Sequence, residues 1–393
     1  MDLADFNFLL TASGQRLLAE VTASPIRPED HLAVASRLRQ EVTPGQAHAL
    51  LETALLRQRA AEKFSRAELM YFTRPALEQA SAEVVSSYRA GRFATGGFEL
   101  VADLACSLGG DALSLAAQGV VVGIDRDPVR LAMARENVRV YGHGHHFRPL
   151  QADLRALPPL TVEAVFFDPG RRDERGRRLT SVHAYRPPLS LIERWLPQVP
   201  HAGVKISPAV DYAELPTAAE VEFISVDGGV KEAVLWYGDL RTGRGRQATL
   251  LPGGDHLSLA EDSGAPVPVT APGPILYEPD GAVIRAHLVE TLAQRLGARK
   301  IDDRIAYLTG DEVVETPFAR AFLVEEVMGF HLKRLRQRLR ERNIGRVTVK
   351  KRGSPLEPEE LQRRLRLEGE EEALLFLTRV QGEPVVLIGQ ALA

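Results

Sequence analysis

The chain contains a single cysteine, Cys106, among 393 residues, so it can form no intrachain disulfide and no cysteine-rich zinc or iron–sulfur site. It has no apolar run of about 18 residues, the length a bilayer requires. Its first stretch, MDLADFNFLLTASGQRLLAE, lacks a basic-then-apolar signal pattern. These absences lead to the expectation of a cytoplasmic protein with no membrane partner. Charge of one sign is not in excess either: 49 basic against 52 acidic residues give −3, which excludes a uniformly basic nucleic-acid coat but permits a local basic face. Lysine is scarce, 7 of the 49 basic residues. Base composition or a hot habitat accounts for an arginine bias, so it is not by itself a phosphate-binding signal. What is present is ordinary globular material, 45% hydrophobic and 26% charged with 32 Gly and 25 Pro, enough for two or three domains of about 150 residues each.

The apolar spacing is helical over residues 1–95, as in AHALLETALLRQRAAEKF, and Asp30 and Thr43 stand where helix N-caps belong. Over 96–243 it changes to short runs alternating with helices, FELVADLAC, VVVGIDRD, AVFFDP, GVKIS, VEFISV and AVLWYGD. This alternation predicts an α/β fold with a mostly parallel sheet covered on both faces. Only DGGVKE separates the last two runs, so the sheet should end in an antiparallel strand. RTGRGR then leads into a less regular connecting α/β region, 244–319, with a loop at SGAPVPVTAPGP, a helix near 280–296 and a strand RIAYLT. In 320–393 the expected order of strand, helix, strand, helix and hairpin makes a small α+β domain.

The stretch Asp103-Leu-Ala-Cys-Ser-Leu-Gly-Gly-Asp111 follows a strand and opens a helix. Small residues in such a turn let backbone N–H groups approach a ligand at the carboxyl end of the sheet, aided by the helix N-terminus. The dinucleotide fingerprint is missing, because Ala105 and Ser107 occupy glycine positions, which argues against an NAD or FAD oxidoreductase. Asp125 ends the second strand, where a carboxylate can accept from two ribose hydroxyls, and Asp153 follows the third. Taken singly each acid reads better as a solvated loop acid or cap; the ordered set of three points to a nucleoside-bearing ligand.

This stretch resembles a class I S-adenosylmethionine-dependent methyltransferase, a Rossmann-like fold. The resemblance implies that Asp103 and the loop Ala105, Cys106, Ser107, Gly109 and Gly110 hold the methionine part of the cofactor. It further implies that Asp125 holds the ribose and Asp153 the adenine amino group. Thr73 and Gln79 would cover the methionine end, and Cys106 is read as a small packing residue rather than a nucleophile. After the fourth strand, Asp168-Pro169-Gly170-Arg171-Arg172 stands where methyltransferases of nucleobase amino groups carry an acid or Asn, two prolines and an aromatic. Asp168 and Pro169 are therefore expected to act in catalysis by orienting an exocyclic amine. No aromatic follows here, and Arg171 and Arg172 would stack on a base or grip a phosphate instead.

LEQAS, YRAGRF, DPGRR, KISP and VKKRG, in this order, are similar to a bacterial group of methyltransferases with a helical N-terminal part and a C-terminal THUMP-like domain. That group is distantly related to trimethylguanosine synthase, and the resemblance implies an RNA partner. Independently, His331 to Arg366 holds thirteen Lys or Arg against four Glu. Leu332, Leu335 and Leu339 form an apolar stripe, so Lys333, Arg336 and Arg340 on that helix, with Lys350, Lys351 and Arg352 beyond it, are expected to offer a basic face to RNA phosphates. His143, His145 and His146 read as loop histidines, and no metal is expected. The function expected is transfer of a methyl group from S-adenosylmethionine to RNA. Two alternatives stay open: a protein or small-molecule acceptor, and an RNA-binding protein with a non-catalytic methyltransferase fold.

Overall fold

The computed structural model describes residues 1–172, 177, 179 and 181–392. The helical spacing of the first 95 residues folds into α1 (Leu3–Leu9), α2 (Ala12–Thr22), α3 (His31–Leu38), α4 (Pro44–Ala60), α5 (Arg74–Gln79) and α6 (Glu83–Thr95). Thr43 caps α4 as expected: its hydroxyl accepts from the Gln46 N–H at 3.3 Å while Gln46 Oε1 accepts from the Thr43 N–H at 3.1 Å. Asp30 precedes α3 without capping it; its carboxylate accepts instead from the Arg27 N–H at 3.3 Å, because Pro28–Asp30 is a 3-10 turn of its own.

The chain divides into two units, Met1–Glu220 with Ala233–Thr242, and Val221–Glu232 with Gly243–Ala393. The sheet of the first unit holds β1 (Leu100–Leu104), β2 (Val120–Asp125), β3 (Phe147–Gln151), β4 (Ala164–Phe167) and β5 (His201–Ile206). These are parallel neighbours in the order β3-β2-β1-β4-β5. β6 (Glu220–Val226) and β7 (Gly229–Tyr237) follow, joined at Asp227 and Gly228, whose φ of 49° and 76° are those of a tight hairpin turn. β7 pairs antiparallel with β5, from Ala202 with Tyr237 to Ile206 with Ala233, so the expected reversed strand is present, but it does not end the strand order, which continues from β7 to β6 and two further strands.

One face of this sheet is covered by α6. The Arg89 guanidinium lies 5.0 Å from the centre of the Phe166 ring, Arg92 lies 4.4 Å from Trp236, and Phe93 packs on both rings. α7 (Ala112–Leu115) and α8 (Pro128–Val140) follow β1 and β2. The helix expected after the glycine loop is thus only four residues long. Its chain must turn at Gly119, where a Cβ would stand 2.5 Å from the Glu99 carbonyl oxygen, to enter β2. In α8 the fully buried Asn137 accepts from the Tyr71 N–H at 2.7 Å and donates to the carbonyls of Tyr71 and Leu108, each at 2.9 Å. Phe6, Leu18, Leu50 and Tyr71 build the helical core, which takes in Met133 of α8. α9 (Ser190–Trp195) precedes β5 and buries Trp195.

In the second unit β8 (Gln247–Leu251) runs parallel to β6, and β9 (Asp255–Ser258) pairs back on it. A seven-stranded sheet comprises β10 (Ile275–Pro279), β11 (Arg299–Lys300), β12 (Leu308–Gly310), β13 (Ala319–Gly329), β14 (Ile344–Lys351), β15 (Glu371–Val380) and β16 (Glu383–Ala391). Its order is β11-β12-β10-β13-β16-β15-β14. The helix expected near 280–296 is two, α10 (Gly281–Arg285) and α11 (Val289–Leu296), separated by His287 at φ 56°. Of RIAYLT only Leu308 and Thr309 lie in a strand. α12 (Leu332–Glu341) and α13 (Pro358–Leu365) pack Leu335, Leu339, Leu361 and Leu365 onto Leu375, Leu377, Val386 and Ile388.

Candidate active site

A cavity of about 510 Å³ opens at the carboxyl ends of β1, β2 and β4. Its wall includes Ala105, Cys106, Ser107, Gly110 and Asp111 from the first loop, with Asp125, Asp153, Asp168, Pro169 and Arg171 from the later strand ends. Gln79 closes it from α5, and Tyr185, Arg186, Pro187 and Pro188 from the chain before α9. Nine of the twelve residues expected to serve catalysis or the cofactor line it; Asp103, buried, does not. Gly109 sits behind the loop, where a Cβ would meet Ala134 at 3.1 Å, and its φ is 81°. Thr73 does not line the cavity; its hydroxyl is buried with no partner among the described residues. Arg172 is also outside the wall, 4.0 Å from Glu78.

The loop backbone is strained in the way a binding loop is. Ala105 and Ser107 adopt φ of 65° and 50°, a conformation that costs an L-residue about 1–2 kcal/mol. Asp125 holds this loop in place, its Oδ2 accepting from the Ser107 N–H at 3.0 Å and its Oδ1 from the Asp127 N–H at 2.9 Å. Burial pushes the Asp125 carboxyl up, partly offset by those two N–H groups. Cys106 is buried, and burial, with the Asp103 and Asp125 carboxylates nearby, raises its thiol well above the ordinary range. That keeps it protonated and poorly nucleophilic.

Asp103 is 1% exposed, and its Oδ2 has no partner among the described residues. Burial, then the Asp111 and Asp168 carboxylates, raise its carboxyl well above the usual range. Asp153 differs: Arg155 grips it through its backbone N–H at 3.0 Å and its guanidinium at 2.5 Å, which holds the carboxyl down at about 2. Two buried cations escaped the sequence reading. Lys205 in β5 donates to Asp168 Oδ2 at 2.6 Å, and Arg89 in α6 pairs with Asp111. Their only trace in the sequence was a charged residue inside an apolar strand, GVKIS, and one on a covered helix face, YRAGRF. Tyr185 was missed as well; it lines the same cavity as Asp168 and Pro169, its hydroxyl accepting from the Ser207 N–H at 3.1 Å.

Five of the six basic residues expected to face RNA are tied within the fold. Arg336 and Arg340 donate to the carbonyls of Arg364 and Arg366 at the end of α13. Lys350 pairs with Glu278 at 2.5 Å with Arg352 beside it, whereas Lys351 reaches Glu357 at 2.7 Å. Among the described residues Lys333 carries no such tie. A shallow groove between α12 and α13 is lined by Arg336, Arg363, Arg364 and Arg366 with Glu360. Among the described residues no group of three His, Cys, Asp or Glu could hold a metal ion, and no helix is long and apolar enough to cross a membrane.

Two relatives from Mycobacterium tuberculosis strains, MT3122 and Rv3037c, are each described as an uncharacterized S-adenosylmethionine-dependent methyltransferase. Each is 38% identical over 347 residues, covering 84% of this chain and 92% of the relative. The chain belongs to the S-adenosylmethionine-dependent methyltransferases. A crystal structure of a protein assigned as a methyltransferase, from Porphyromonas gingivalis W83, shares the fold at a TM-score of 0.73, with 22% identity over 94% of this chain and all of that one. A family model described as THUMP domain-like matches residues 319–391, and one described as a domain of unknown function, DUF8688, matches 2–60.

The cavity suits the cofactor of this methyltransferase family. Asp103 keeps a buried oxygen without a partner among the described residues. The ammonium of a methionine-bearing ligand would give that carboxylate a partner.

Proposed function

We propose that the chain transfers a methyl group from S-adenosylmethionine to RNA, at an exocyclic base nitrogen oriented by Asp168. The cofactor supplies a methyl already made electrophilic by its sulfonium. Asp103 and the Ala105 to Gly110 loop would hold its methionine part, Asp125 its ribose, and Asp153 its adenine once Arg155 releases the carboxylate. The protein's own task is then positioning and exclusion of water. Asp168 Oδ2 is taken by Lys205, and Oδ1 has no partner among the described residues, so it can accept a hydrogen bond from the acceptor amine. Pro169, Pro187, Pro188 and the Tyr185 ring supply an apolar wall for a base. Arg171 and Arg186 add positive charge beside it that suits phosphate.

The observation that carries this reading is the placement of Asp168, with Pro169 and Arg171, on the same cavity as the cofactor loop. The THUMP domain-like match supports RNA as the partner. The test is transfer of a labelled methyl group to total RNA from a strain lacking the protein. Label that is sensitive to ribonuclease and lost in Asp168→Ala supports the proposal. Label in protein or small molecules instead, or RNA binding without label, would replace it with one of the two alternatives.

A further inference from the structure

β5 is the strand beside β4, and its other residues from Ala202 to Ile206 are apolar or glycine; Lys205 is 2% exposed among them. Removing an ammonium from water is costly, and an apolar side chain of similar size would pack at least as well there, so packing does not explain a lysine. Its Nζ has two partners, Asp168 Oδ2 at 2.6 Å and the carbonyl of Gln79 at 3.4 Å. Gln79 is the last residue of α5, where helical carbonyls lack intrahelical donors. Lys63 meets the same turn, donating to the carbonyls of Leu77 at 2.8 Å and Ala80 at 2.9 Å. The far side of the Asp168 loop is pinned too, since Gly170 and Arg186 exchange backbone hydrogen bonds at 3.0 and 2.9 Å.

We propose that Lys205 is a positioning residue for methyl transfer. It ties the Asp168 carboxylate to the α5 wall of the cavity, and so fixes the acceptor's ligand relative to the cofactor loop. The idea rests on the reading of Asp168 given above. Backbone pairing at Gly170 sets where the loop runs; Lys205 sets which way the carboxylate stands. Lys205 itself is not part of the cavity wall, so it acts through Asp168 and not by touching cofactor or acceptor.

The test uses the full chain as Lys205→Met and Lys205→Arg. It measures labelled methyl transfer to total RNA, S-adenosylhomocysteine affinity by calorimetry, and amide exchange over 76–80 and 168–170. In Lys205→Met, kcat should fall about 10²-fold, the loss a misplacement of about 1 Å produces. S-adenosylhomocysteine affinity should stay within about threefold (roughly 0.65 kcal/mol), and both segments should exchange faster. Lys205→Arg keeps a cation for Asp168 and should recover at least about tenfold of the lost kcat. Unchanged kcat in Lys205→Met overturns the proposal, as does parallel loss of turnover and cofactor affinity in both variants, which marks a structural role. Should Lys205→Met not fold, Lys205→Gln takes its place, since it also removes the cation: reduced kcat with unchanged affinity supports the proposal, and wild-type kcat overturns it. If the wild-type chain labels no RNA, the Asp168 reading falls, and exchange alone judges the tie: unchanged rates in both segments remove it.

Discussion

Replacing Asp103 by Asn should make the cofactor-free chain more stable, by an amount that grows with pH. The carboxyl is buried, has an unpartnered oxygen, and is raised well above its usual range by burial and by Asp111 and Asp168. A folded state that holds a proton more tightly than the unfolded state loses stability as pH rises from the unfolded carboxyl value, about 4, to the folded one. Over that window the loss is about 1.4 kcal/mol per pH unit, and below it the site contributes no slope. Asn has the same shape and no charge, so the variant lacks this slope. In urea titrations of the cofactor-free chain at pH 4, 5, 6 and 7, the stability difference between variant and wild type should widen with pH, then level off where the folded carboxyl ionises. The carboxylates held down, at Asp153 and Asp311, cancel in this difference because both chains contain them. If the ammonium of S-adenosylmethionine is the missing partner, its affinity for the wild type should also rise with pH, while the variant binds weakly at every pH. Parallel stability curves over pH 4 to 7 would refute the reasoning.

Three further outcomes are expected. Gly109→Ala should destabilise by about 1–3 kcal/mol, because of its φ of 81° and the Ala134 contact. Gly110→Ala, with no atom nearer than 3.7 Å to the added carbon, should change the urea midpoint little; equal losses at both would show that the loop is held differently. Cys106→Ala should keep methyl transfer within about threefold, whereas a loss on the order of 10²-fold would restore the thiol as a nucleophile. Arg363→Ala with Arg366→Ala should lower RNA affinity and reduce the slope of log affinity against log salt by about one per lost phosphate contact. Arg336→Ala should instead lower stability, since its guanidinium serves the Arg364 carbonyl; equal affinity losses in all of these variants would show the basic residues acting as one surface.

The legible part of the site was the part written in chain order. Asp103 is the last residue but one of β1, Asp125 ends β2, and Asp153 and Asp168 follow β3 and β4, and period-2 and helical patterns place strand ends well enough to bring them to one edge. What stayed hidden depends on which strands become neighbours. Lys205 meets Asp168 because β5 lies beside β4, and Arg89 meets Asp111 because α6 crosses that face; neither adjacency is a spacing. The charge of the basic segment is hidden for a related reason. Counting from His331 to Arg366 leaves out the acids other strands bring: Glu325 and Glu326 of β13 pair with Arg342 and Arg338, Glu372 of β15 with Arg346, and Glu278 of β10 with Lys350. Charge balance is a property of the folded surface, and a local tally overstates it.

Asn137 joins parts of the protein that the sequence patterning separates. One amide side chain satisfies both backbone groups of Tyr71, beyond the fourth helix, and the carbonyl of Leu108 within the cofactor loop. The change of pattern near residue 95 is therefore not a place to cut. A chain begun at 96 would take from the buried Asn137 side chain its two Tyr71 partners, leaving only the Leu108 carbonyl, and would uncover the face of Met133 that the helical core packs against. The leader acts as a scaffold under the binding loop, so its loss should abolish cofactor binding before any question of substrate arises.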